Sequence, residues 1–180
     1  MEFDAAATEI AEKYGLPTPV PSRWIEMSDE LFETYIRGIQ KIIDDPDSTG
    51  WDIENIIAAV NEHAKTRHKH LFDVVLGYYY TVKDHGPRSQ IYYTLKKIGG
   101  SSKATVDKFL EIYNTDHDTL KHYFMTFFAE KGTQKHWDAI ANSADCEEDI
   151  RLLKILADSK KRQLTKHNVN PWIPELKKGK

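Results

Sequence analysis

A single cysteine, Cys146, is present in this 180-residue chain. One thiol can form neither an internal disulfide nor a cysteine zinc site, so a reducing, cytoplasmic compartment is the expected setting. Its neighbours Asp145, Glu147 and Glu148 disfavour a thiolate, which argues against a nucleophilic role. No apolar run approaches the roughly 20 residues needed to cross a bilayer, so no membrane partner is expected. The opening Met-Glu-Phe-Asp is acidic and lacks the basic-then-apolar pattern of a secretion signal. A phosphate-cradling loop is missing too. Gly99-Gly100-Ser101-Ser102-Lys103 lacks the first glycine, the spacing and the preceding strand, and reads as a turn between helices. Strict apolar–polar alternation, the mark of a half-buried strand, is almost absent.

What is present is charge sorted along the chain. Residues 1–62 hold four bases against fourteen acids, a net of −10; residues 63–150 hold twelve of each. Residues 151–180 hold nine bases against Asp158 and Glu175, a net of +7. An acidic front and a basic end imply faces with different partners, or ends that attract each other. Hydrophobic residues at 40% and charged residues at 29% are ordinary for a folded protein.

Helical spacing runs throughout. A first helix spans Phe3 to about Tyr14 and stops at Gly15. Leu16-Pro17-Thr18-Pro19-Val20-Pro21 follows, extended because proline fixes φ and lacks an amide donor. This strap could let helix one move separately, or serve as a proline-recognition ligand. Ser28 caps a helix running to Ile43, with Met27 and Phe32 at staple spacing. Asp44-Asp45-Pro46-Asp47 is a solvated acidic turn, since the rest of a calcium loop is missing. Ile53, Ile56, Ile57, Val60 and Ala64 form a stripe that continues to Tyr78, as one long helix or two that break near Lys65–Lys69. Asp84-His85-Gly86-Pro87 is a stop, and Arg88–Ile98 a short helix. Four more helices follow, behind the caps Ser102, Thr115, Thr133 and Asp145. The expected fold is all-α, seven to nine helices, as stacked solenoid-like hairpins or an irregular bundle. Its expected parts are residues 1–21, 22–167 and a basic tail, 168–180.

Residues 105–130 and 133–158 align without gaps, pairing Phe109 with Trp137, Ile112 with Ile140, Phe124 with Leu152 and Phe127 with Ile155. Two copies of a helical hairpin would share such core and cap positions. In architecture alone this resembles HEAT-like and tetratricopeptide-like arrays, and no signature of a named repeat is present.

Three constellations bear on chemistry. Glu62, His63, Arg67, His68 and His70 cluster, but no second helix offers matching metal ligands, so they read as a polar segment with His68 near the core stripe. Asp116-His117-Asp118 contains the dipeptide of HD-type phosphohydrolases, with His85 upstream and Asp149 or Asp158 downstream. Here it begins a helix, where capping accounts for both acids. Arg162-Gln163-Leu164-Thr165-Lys166-His167 loosely resembles the motif of HEPN-type ribonucleases, with Gln163 where that family places Asn, Asp or His. The resemblance implies that Arg162 holds a phosphate and His167 moves a proton.

Lys160, Lys161 and Arg162 could follow a phosphate backbone, and Trp172 could stack on a base or dock the tail on the helical body. Tyr78, Tyr79, Tyr92, Tyr93 and Tyr123 are the candidate lining of a recognition groove. These readings favour a non-catalytic binding or adaptor protein with a protein partner. RNA or DNA binding through the basic end is the alternative, and a helical ribonuclease the third. No metal or cofactor is called for.

Overall fold

The computed structural model describes residues 2–115, 120–143 and 147–166, with Ser143, Glu147 and residues 160–166 described by backbone alone. Among the described residues the protein is all-α, with nine α-helices, one short 3-10 helix and an isolated bridge between Phe3 and Pro21. It divides into two compact units, Met1–Gly100 and Ser101–Lys180. The boundaries expected from sequence fall after residues 21 and 167. None of the described helices is long and apolar enough to cross a membrane.

In the first unit, α1 (Ala5–Lys13) is capped by Asp4, whose carboxylate accepts from the Ala7 amide at 3.0 Å. Gly15 closes it at φ 62°: its amide donates to the Glu12 carbonyl and the Leu16 amide to that of Ala11. This paired closure needs a left-handed residue, which glycine alone adopts without steric cost. The proline strap is stitched down rather than loose. Asp4 donates to Val20 O at 2.9 Å, Ser22 donates to Glu2 O at 3.1 Å, and the Tyr35 hydroxyl donates to Pro17 O at 2.7 Å. These bonds tie α1 into the unit, against the expectation that it could move separately.

The unit is built around α2 (Asp29–Asp44), with Ser28 accepting from the Leu31 amide as its cap. Phe32, Tyr35, Ile36, Ile39 and Ile42 are wholly buried along one helical stripe. Gly38 lies where Leu16 of the strap approaches; a Cβ there would fall 2.3 Å from Leu16 Cδ2. Next, α3 (Gly50–Asn61) opens on a capping box between Thr49 and Asp52. The long stripe breaks, as one of the two readings had it, into a 3-10 helix (Thr66–Leu71) and α4 (Phe72–Thr81). The expected stop at Asp84–Pro87 is instead a start. Asp84 precedes α5 (His85–Gly99), and Pro87 sits in its first turn, where no intrahelical amide bond is lost.

The second unit holds α6 (Lys103–Thr115), α7 (Lys121–Lys131), α8 (Gln134–Ser143) and α9 (Glu147–Lys166). Its core is aromatic: Phe109 packs edge-on to Phe124 at 5.4 Å and against Phe127 at 4.8 Å, while Trp137 is fully buried. Ser102 caps α6 as expected, accepting from the Thr105 amide at 3.3 Å. The Thr115 hydroxyl donates back to Glu111 O and Ile112 O, so it closes α6. The paired positions of the internal alignment share environments only in part in their second helices: Ala129 and Ala157 are both buried. Phe127 is buried but Ile155 is 55% exposed, and α9 turns Asp149, Leu153 and Ala157 inward.

Gly15 has open space around the position of an added Cβ, so only the backbone resists a side chain there. Gly15→Ala is therefore expected to lower stability by about 1–2 kcal/mol without disturbing packing, read from denaturant midpoints at unchanged m-value.

Candidate binding surface

Most large apolar side chains of the first unit are buried; besides Tyr80 and Tyr93, the exposed ones fall in two places. The first lies between α1 and α3, where Ala6, Glu9, Ile10, Lys13, Trp51 and Asp52 line a groove of about 240 Å³. Trp51, 65% exposed, forms its wall. The α1/α3 seam is held at Asp52, whose Oδ2 accepts from Lys13 Nζ and from the Tyr14 hydroxyl, each at 3.1 Å. Against the opposing effect of burial, Lys13, the Thr49 amide and Tyr14 hold the Asp52 carboxyl below its ordinary value, and Tyr14 foremost, then Asp52, raises the Lys13 ammonium. Asp52 is therefore committed to the fold, whereas Glu9 stands exposed on the groove.

The second place is the end of the strap. Trp24 is 80% exposed, with the Arg23 guanidinium 4.7 Å from its ring, and Phe3 and Ile25 are exposed beside the Phe3–Pro21 bridge. Sequence reasoning missed all four residues. Trp51 was findable: it lies two positions before Ile53, off the stripe that α3 buries. Trp24 and Ile25 sit between the strap and α2, where no period assigns them a side.

The histidine cluster joins the 3-10 helix to α2. Arg67 forks onto Asp29, Nε to Oδ2 at 2.7 Å and Nη2 to Oδ1 at 2.5 Å. His68, buried and stacked on Phe32 at 4.3 Å, accepts the Lys65 amide on Nδ1 at 3.2 Å. Its Nε2 lies 3.1 Å from Asp29 Oδ1, at ion-pair distance but off the hydrogen-bond axis. Arg67 foremost, then His68, holds the Asp29 carboxyl at about 2. His70 Nε2 meets Glu33 at 2.7 Å. The second unit uses the same local device. His136 accepts the Thr133 amide on Nδ1 at 3.1 Å, stacks on Phe128 at 5.5 Å, and has Nε2 3.6 Å from Asp107. Asp149, 2% exposed, pairs with Lys121 and lies 3.1 Å from His122 Nε2. Among the described residues, no group of three His, Cys, Asp or Glu side chains could hold a metal ion.

Of the tyrosines proposed as a groove lining, Tyr78, Tyr79 and Tyr92 are buried, at 4%, 1% and 2% exposure, and cannot line an open groove. Tyr93 is 37% exposed, and Tyr123 is half-buried in the other unit. Consecutive helical tyrosines need not face outward when several elements pack around them: both α3 and α4 pack on α5. Lys160, Lys161 and Arg162 lie within α9, while His117, His167 and Trp172 fall outside the described residues. No protein-family model matches the chain, and the comparisons with curated proteins and with solved structures find no match.

Burial lowers the His63 and His136 imidazoles from the ordinary 6.5, against the partly opposing charges of Glu62 and Asp107 respectively. An unfolded chain then binds more protons than the folded one as acid is added. The stability these two groups carry is complete above pH 6.5 and is lost as pH falls through their folded values. The expected outcome is a denaturation midpoint that declines below about pH 6.5, with a shallower decline in His136→Gln.

Proposed function

We propose that this protein is a non-catalytic binding protein of adaptor type, and that the exposed aromatic surface of its first unit receives the partner. The observation that carries this reading is the exposure of Trp24 and Trp51, at 80% and 65%. Full burial of one large apolar side chain is worth about 1.5–3 kcal/mol, so two exposed tryptophans forgo substantial stability. Tryptophan is also the residue type most enriched among the anchors of protein interfaces. The polar clusters support the same reading. Arg67–Asp29, His70–Glu33 and Lys121–Asp149 each join distant turns of the chain, which is structural work. The partner is thus sought among proteins.

A second reading, nucleic-acid binding, draws on α9. Arg151 and Lys154 are exposed there, and the same helix continues through Lys160, Lys161, Arg162 and Lys166. Phosphate contacts of this kind weaken steeply with salt.

Replacing position 24 or 51 with a photo-crosslinking phenylalanine analogue, in cells expressing the full chain, tests the first reading. Discrete protein adducts are expected at both positions and not at the exposed control Lys83. Equal adduct patterns at all three positions would count against it. Salt-sensitive anisotropy binding of a single-stranded RNA would favour the second reading, and cleavage of that RNA would bring Arg162 and His167 forward.

A further inference from the structure

We infer that the groove between α1 and α3 is a site for a lysine- or arginine-rich peptide segment that carries one bulky apolar anchor. This deepens the binding-protein reading and rests on it. Three observations select that ligand. The groove is closed on one side by the indole of Trp51 and floored by Ile10, which is 8% exposed, so its inner part suits an apolar side chain. Its volume of about 240 Å³ suits one anchor rather than a whole helix face. The lining is net acidic: Lys13 and Asp52 are paired with each other, which leaves Glu9 as its remaining charged group. Glu9 lines the groove and Glu12 is exposed on the same helix, one turn further on. An acidic or neutral peptide would meet unfavourable or indifferent charge there, and a basic one is both steered and retained.

Anchor and charge have separate roles. The apolar side chain entering beside Trp51 supplies most of the affinity, because a desolvated aromatic contact is where binding energy concentrates. The flanking cations supply encounter rate and choice of partner, and their contribution is screened by salt. Lys83 is exposed, lies outside the groove lining and serves as an internal control.

The chain itself contains a sequence of this chemistry. Residues 167–180 place Trp172 and Ile173 between Pro171 and Pro174, followed by Lys177, Lys178 and Lys180. A synthetic peptide of residues 167–180 is therefore the probe. Its fluorescein-labelled form is titrated with the full-length protein at low salt. Saturable binding is expected. Trp51→Ala should weaken it at least tenfold, Glu9→Lys severalfold, and Lys83→Ala should leave it unchanged. A peptide with Trp172 replaced by Ala should lose the dependence on Trp51. No saturation at low salt, or binding that Trp51→Ala leaves intact, overturns the inference. If crosslinks at positions 24 and 51 persist while this peptide fails to bind, the ligand class is wrong and the binding-protein reading stands. If both fail, both readings fall together. Circular dichroism and a denaturation midpoint for each variant separate lost binding from lost fold.

Discussion

The fully buried stripe of α2 is the constraint on which the first unit depends. Phe32, Tyr35, Ile36, Ile39 and Ile42 bring α3, the 3-10 helix and α4 onto one helix, and Tyr35 and Gly38 bring the strap. The polar ties follow from that packing. Asp29 and Glu33 lie at the N-terminal end of α2, where Arg67, His68 and His70 come across. A favourable helix terminus for an anion and a chain segment of three cationic or ring donors meet there. The clasp fixes where the stripe of α3 must end and turn, which sets the place of α4 and α5.

The recurrence of one histidine arrangement in both units has a local cause. A ring at the third helical position accepts the amide just before the helix, satisfying a donor that would otherwise face the core. Stacking on a phenylalanine then makes that ring part of the apolar interior. His68 and His136 thus read as capping groups before they read as chemistry. The ring partners differ in origin: Asp29 and Phe32 share one helix, whereas Asp107 and Phe128 come from two. The likeness is one of physics at a helix start.

How much was legible in the sequence varied with the kind of signal. The all-α class and the Ser28 and Ser102 caps followed from periodicity and capping chemistry, whereas periodicity left the break before His68 as one of two readings. Proline misled at Pro87, because a proline within a helix's first turn looks from sequence like the end of one. The tyrosine groove failed for a reason of packing: local spacing says which residues share a face, not how many elements cover it, and Tyr78, Tyr79 and Tyr92 are covered. The internal alignment carried over in part from α7 to α9: Met125 and Leu153 are both buried, as are Ala129 and Ala157, whereas Phe127 is buried and Ile155 exposed. The surface residues proposed to bind were the least legible. Trp24 belongs to no periodic segment, whereas Trp51 lies off the stripe that α3 buries, which is the signal that could have found it.

Tryptophan that folds the protein is distinct from tryptophan proposed to recognise a partner. Trp137, fully buried, belongs to the first kind, and Trp24 and Trp51 are placed in the second. The most direct test of that separation is the equilibrium unfolding free energy of the Trp24→Ala/Trp51→Ala double variant against that of Trp137→Ala. The account predicts a loss within about 1 kcal/mol for the pair and about 3–5 kcal/mol for Trp137→Ala. A loss of about 3 kcal/mol or more in the double variant would contradict it, because both indoles would then belong to the fold.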